Sequence, residues 1–101
     1  MAFERAARVS EIPAGSLREV KIGEKTLALA NVGGKFYAFS DVCLHRGGPL
    51  GQGELTNSVV TCPWHGWQFD VTTGKLVQDP RMSVACYPTE LRGEEVFVDL
   101  P

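Results

Sequence analysis

Two short stretches contain both histidines and two of the three cysteines of the chain: Cys43-Leu44-His45-Arg46-Gly47-Gly48 and Cys62-Pro63-Trp64-His65-Gly66-Trp67. Each pairs a thiol with an imidazole at close range, as C-x-H in the first arm and C-x-x-H in the second. Chance seldom places every histidine of a chain just after a cysteine, and the four side chains together propose one metal site. A Cys₂His₂ donor set suits a structural zinc, or an iron–sulfur cluster whose two irons are held differently, one by thiolates and one by imidazoles. Zinc fingers take two ligands of one type from each arm, whereas each arm here supplies one of each, so the spacing favours the two-iron cluster.

The pattern C-x-H-R-G followed at a distance by C-P-W-H-G-W resembles the two cluster loops of Rieske [2Fe–2S] proteins. The likeness extends outward to a strand-rich N-terminal half, an Asp-Val-Thr-Thr-Gly-Lys turn after the second motif and a Val-Phe-Val-Asp-Leu ending, which are similar to small Rieske ferredoxins. It covers nearly the whole chain. The resemblance implies that Cys43 and Cys62 ligate one iron and His45 and His65 the other, with one [2Fe–2S] cluster per chain. A zinc-stabilised structural module is the alternative from a different class.

Length and charge narrow the function further. A chain of 101 residues allows a single domain, 1–101, with the cluster-binding part at about 41–82. Rieske oxygenases resemble it only over their N-terminal part and need a further domain for mononuclear iron. A hydrophobic content of 44% supports an independent core, and the cluster is expected to add stability as structural metals do. Ten basic and twelve acidic residues, net −2, leave no nucleic-acid footprint and no polybasic membrane patch. The first residues lack an apolar signal core and no long apolar run follows, which points to the cytoplasm. Cysteine usage agrees, since Cys86 has no partner left for an internal disulfide.

The elements that must position the ligands read as short strands. Residues 6–12 form a first strand closed by Pro13-Ala14-Gly15-Ser16; Leu17–Ile22 and residues 26–32 follow, joined by a turn at Gly23-Glu24. Gly33-Gly34 is a two-residue hairpin signal because both positions tolerate positive φ, and Phe36-Tyr37-Ala38-Phe39 returns as the partner strand. The first loop runs from Asp41-Val42 to Gly53, with glycines at 47, 48, 51 and 53 that would let amides point at sulfurs or would simply form an ordinary glycine-rich turn. Val59–Thr61 delivers Cys62, residues 67–71 leave the second loop, and Thr72-Thr73-Gly74 turns the chain into Lys75-Leu76-Val77. Asp79-Pro80 resembles the start of the family's proline-containing loop over the cluster, although the family's second proline is missing where this chain continues Arg81-Met82-Ser83. Residues 84–87 and Glu95–Leu100 close the fold around a connection from Pro88 to Glu94. The fold class is all-β, a Rieske-like sandwich of two antiparallel sheets with both cluster loops at one tip.

Cys86, in an apolar strand beside Tyr87, reads as a buried small hydrophobe. Trp67 reads as packing; Trp64, inside its loop, reads as either a wall of the site or a docking surface. Arg46 is either a solvated charge or a steering group for an acidic partner. Both histidines are committed as ligands, no phosphate loop is present and Glu94-Glu95 reads as a solvated turn, so electron carriage rather than catalysis is expected. The resemblance implies transient docking with a flavin reductase and a terminal oxygenase, most often an aromatic-ring dioxygenase or related monooxygenase, with no nucleic acid or membrane partner and a monomeric carrier. The small Rieske subunit of a nitrite-reductase-type enzyme is the alternative within electron transfer. The family's high-potential branch carries an extra cysteine in each loop, forming a disulfide, and two hydroxyl donors after the second motif. This chain has Gly48 and Trp64 at the cysteine positions and Trp67 and Phe69 at the hydroxyl positions, which implies a low reduction potential.

Overall fold

The computed structural model describes residues 2–44, 47–64 and 66–100, which form three antiparallel sheets. In chain order the strands are β1 (Ala2–Arg8), β2 (Leu17–Ile22), β3 (Lys25–Val32), β4 (Lys35–Ser40), β5 (Glu54–Thr56), β6 (Val59–Thr61), β7 (Gln68–Asp70), β8 (Cys86–Tyr87), β9 (Thr89–Arg92) and β10 (Glu95–Leu100). One sheet runs β1-β10-β9, a second β2-β3-β4-β8 and a third β5-β6-β7. The expected two-sheet sandwich is therefore present with a third, small sheet added; one cysteine-bearing stretch joins the middle sheet to it, between β4 and β5, and the other lies within it, between β6 and β7.

Strand β3 explains the layering. Leu27 and Leu29 point to one side, into a core shared with Ile12, Val96 and Val98; Ala28 and Ala30 point to the other, into a core shared with Phe39, Leu50, Val60 and Phe69. Successive side chains of a strand face opposite ways, so a strand apolar at four consecutive positions is covered on both faces. The middle sheet thus separates a terminal core from a site-side core, and alanines on the site side let the loop-bearing layer approach closely. Cys43 and Cys62 belong to the site-side core.

The Gly33-Gly34 turn forms as expected, with φ of 62° and 94°, and aligns β3 with β4 from Val32↔Lys35 to Leu27↔Ser40. Buried Asn31 fixes that turn to the preceding chain: its Nδ2 donates to the Ile12 carbonyl at 2.7 Å and its Oδ1 accepts the Gly34 amide at 2.8 Å. Three expectations are corrected. The first strand is Ala2–Arg8 rather than 6–12, because it follows β10 through a register shift between Arg5 and Ala7 and gives way to a 3-10 turn at Val9–Glu11. The connection after Pro88 is itself strand β9, paired with β10. Residues 75–77 return only as isolated bridges, Phe69↔Leu76 and Lys75↔Ser83.

Candidate metal centre

The two cysteines sit at equivalent points of two loops built alike. The first loop leaves β4; there the Cys43 amide donates to the Gly48 carbonyl at 2.9 Å and the Gly47 amide donates back to the Cys43 carbonyl at 2.9 Å. The second joins β6 to β7; there the Cys62 amide donates to the Trp67 carbonyl at 2.8 Å and the Gly66 amide donates back to the Cys62 carbonyl at 3.1 Å. Each turn closes through a glycine with positive φ, 73° at Gly47 and 77° at Gly66, a conformation in which a side chain is strained. Both cysteine residues are buried, at 2% and 3% exposure, so their sulfurs face inward rather than toward bulk water. His45, Arg46 and His65 lie outside the described residues.

Gly48 connects the two loops. Its carbonyl holds the Cys43 amide, and a Cβ built on it would lie 2.8 Å from Cys62 Sγ. The glycine leaves room for the sulfur, while its backbone ties that sulfur's surroundings to the other cysteine. Of the two readings of the loop glycines, the ordinary turn holds at three of them: the amides of Gly47, Gly51 and Gly53 donate to the oxygens of Cys43, Asp41 and Leu50. Their role is to fold the first loop rather than to face the sulfurs.

A carboxyl pair buttresses that loop from behind, and sequence reasoning missed it. Asp41 is buried; its Oδ1 accepts the Gly51 amide at 2.7 Å and its carbonyl accepts the Leu50 amide at 2.8 Å. Burial, then the hydrogen-bonded Glu19 carboxylate, pushes the Asp41 carboxyl up to about 7. Glu19 is held below its ordinary value by the same bond and by Gln52, whose Nε2 donates to Glu19 Oε1 at 2.8 Å. Gly51 is packed so tightly here that a Cβ would lie 2.8 Å from Asp41 Oδ1 and 2.9 Å from the Glu19 amide nitrogen.

The second loop is braced by the segment after β7. The Gln68 carbonyl accepts the Val77 amide at 2.8 Å, Gln78 Oε1 accepts the Gln68 amide at 3.2 Å, and the Met82 carbonyl accepts the Leu76 amide at 2.9 Å. The Asp79-Pro80 turn thus closes on its own segment, which is tied to Gln68 at the start of β7, with Arg81 turned back on Asp79 at 2.9 Å. Trp67 packs on the site-side core, whereas Trp64 is 56% exposed, alongside exposed Val42 and Leu44. Cys86 is corrected: it is exposed, not buried. Its Sγ lies against Gly74, where a Cβ would come within 2.7 Å.

Two inward-facing cysteines in matched loops, with space kept clear at one sulfur and a histidine due in each loop, fit a thiolate and imidazole metal centre. Comparison with known proteins points to a [2Fe–2S] group. Residues 3–88 match the Rieske [2Fe-2S] domain. The ferredoxin component of the naphthalene 1,2-dioxygenase system of Pseudomonas aeruginosa is 34% identical over 96 residues, covering 94% of this chain and 92% of that protein. Among solved structures, a Sphingomonas yanoikuyae B1 ferredoxin superposes with a TM-score of 0.89 at 26% identity, covering 99% of this chain and 100% of that one. A chain in a complex of reduced oxygenase and oxidized ferredoxin in carbazole 1,9a-dioxygenase superposes with a TM-score of 0.85 at 33% identity, covering 95% and 91% of the two chains. On these grounds the chain belongs to the Rieske [2Fe–2S] family, among its electron-transferring ferredoxins rather than its catalytic oxygenases.

Proposed function

We propose that Cys43 and Cys62 hold one iron and His45 and His65 the other iron of a single cluster. On this reading the protein is a monomeric cytoplasmic carrier, taking single electrons from a flavin reductase to a terminal aromatic-ring dioxygenase or related oxygenase. The observation that carries the reading is the matched closure of the two loops, with a buried cysteine at the start of each and the C-x-H and C-x-x-H spacings inside them. When bound, the [2Fe–2S] group supplies reversible one-electron chemistry. The chain's own residues hold and insulate it. Thiolates from two loops fix one side, the core of Leu50, Val60 and Phe69 excludes water beneath, and exposed Val42, Leu44 and Trp64 offer an apolar rim to a partner. A small interface of this kind suits transient contact, and Arg46, within the first loop sequence, is the group proposed to steer it.

The purified protein should contain two irons and two acid-labile sulfides per chain, be brown, and give an electron paramagnetic signal only after reduction. Stoichiometric zinc without colour would refute the ligation. For docking, Arg46→Glu should alter the rate and salt dependence of association with reductase or oxygenase while leaving the visible spectrum unchanged. Turnover insensitive to Arg46→Glu at low salt would remove Arg46 from the interface.

A further inference from the structure

Gly48 lies between the two loops, yet its backbone does not require glycine. Gly47 and Gly66 have positive φ; Gly48 does not. What its missing side chain provides is room, and two groups use it. A Cβ at Gly48 would lie 2.8 Å from Cys62 Sγ and 3.1 Å from both Cγ and Cδ2 of Trp64. The five-membered ring of the indole therefore rests on the Gly48 backbone, beside the sulfur. Gly48 is buried although its covering residue is 56% exposed: part of the indole lies on the glycine and the rest faces solvent.

We infer that Trp64 is a positioning residue that roofs the Cys62 sulfur, its indole seated on Gly48 so that water is kept off that thiolate and the two loops are held at a fixed spacing. The inference rests on the ligation proposed above. Water donating to a ligand sulfur favours the reduced centre, which carries one more negative charge, so excluding it lowers the reduction potential. The same roof slows attack by water and chelators on the sulfur–iron bond. An exposed tryptophan is otherwise an unfavourable use of apolar surface, and its seat on a residue without a side chain shows that the contact is built into the loop pairing.

The test uses the loaded protein in isolation, with Trp64→Ala, Trp64→Phe and Gly48→Ala compared with the parent. Three quantities are measured: the midpoint potential by protein-film voltammetry, the rate of bleaching by a chelator, and deuteron coupling to the reduced centre in D₂O by pulsed electron paramagnetic resonance. Trp64→Ala should raise the midpoint, increase deuteron coupling and speed bleaching roughly tenfold, as loss of an outer contact to a metal ligand does. Trp64→Phe should recover most of each change. Gly48→Ala should act in the same direction as Trp64→Ala, because the added methyl crowds both the indole and the Cys62 sulfur; as it touches the sulfur directly, the Trp64 pair decides. Unchanged midpoint, coupling and bleaching in an iron-replete Trp64→Ala protein would overturn the roof and leave Trp64 with the apolar rim alone. Absence of iron and sulfide from the parent would instead overturn the ligation itself.

Discussion

Gly47 and Gly66 are equivalent residues of two different loops: each stands four positions after a buried cysteine, has a left-handed φ, and returns its amide to that cysteine's carbonyl. The equivalence holds although the histidines fall at different offsets, two residues after Cys43 and three after Cys62. Backbone closure rather than ligand spacing is what the two loops share.

Gly66→Ala isolates the energetic role of that closure. Among the described residues, nothing beyond its chain neighbours lies within 4 Å of a Cβ built at Gly66, so the substitution tests backbone strain. It should cost about 1–2 kcal/mol, the penalty for an L-residue in the left-handed region. Thermal unfolding should show a lowered midpoint, with Gly47→Ala giving a loss of similar size. Gly53→Ala should be worse than either, because its Cβ would collide with the Thr61 carbonyl across the β5–β6 hairpin.

Asp41→Ala removes the acceptor of the Gly51 amide and the partner of Glu19. Leaving a buried amide unsatisfied costs about 1–3 kcal/mol. The variant should unfold at lower denaturant with an unchanged slope. Asp41→Asn should restore much of the loss, since its amide can still accept from Gly51 and donate to Glu19.

Cys86 is exposed yet should be slow to alkylate. The residue is exposed, but its thiol is partly covered against Gly74, and that partial burial, then the Asp70 carboxylate, raises its pKa above the ordinary 9.0. Because the thiolate is the nucleophile, iodoacetamide labelling at pH 8 should be slower than that of free cysteine and should climb as pH rises past 9. The sign for stability follows: the folded state holds this proton more tightly than the unfolded state. The group's contribution is therefore whole below the unfolded value of 9.0 and is lost as pH rises through the folded one. Asp70→Asn should accelerate labelling, measured by intact-mass spectrometry.

The potential should lie near the bottom of the Rieske range of about −150 to +300 mV. Phe69 packs in the same buried core as both cysteines and carries no hydroxyl, and Trp67 likewise offers no hydroxyl donor. With oxidised cluster and ligands at net charge 0 and reduced at −1, each missing donor favours the oxidised form. Voltammetry from pH 6 to 10 should give a midpoint below zero at pH 7 and little slope below pH 8. A midpoint well above zero would contradict the electron flow proposed here.

The hairpin at Gly33-Gly34 was legible because two adjacent glycines between apolar strands have one economical use. Strand β9 was not, because Thr89-Glu90-Leu91-Arg92 is an edge strand with one large apolar side chain, itself exposed, and a proline before it. Cysteine positions and loop limits were readable from motif spacing. The Asp41–Glu19 pair was invisible, since the two residues lie on different elements and meet only when the loop folds over β2. Cys86 misled because its neighbours are apolar, while strand β8 is only two residues long and ends a sheet, leaving it open on one side. The glycine amides stayed open between two readings for a related reason: composition shows that the backbone can approach closely, but not which atom it approaches.

The two cores on either side of the middle sheet have a consequence for how the molecule breathes. β1 pairs with β10 from Ala2↔Leu100 inward, so both chain ends share one sheet and one core, formed with Leu27 and Leu29. Cys43 and Cys62 belong to the other core. Opening of the β1–β10 pair can therefore proceed locally and leave the loop-bearing layer intact, and amide exchange should divide into a faster class in that sheet and a slower class around the loops. Loss of metal would reverse that order, turning the most protected part of the protein into its least protected one.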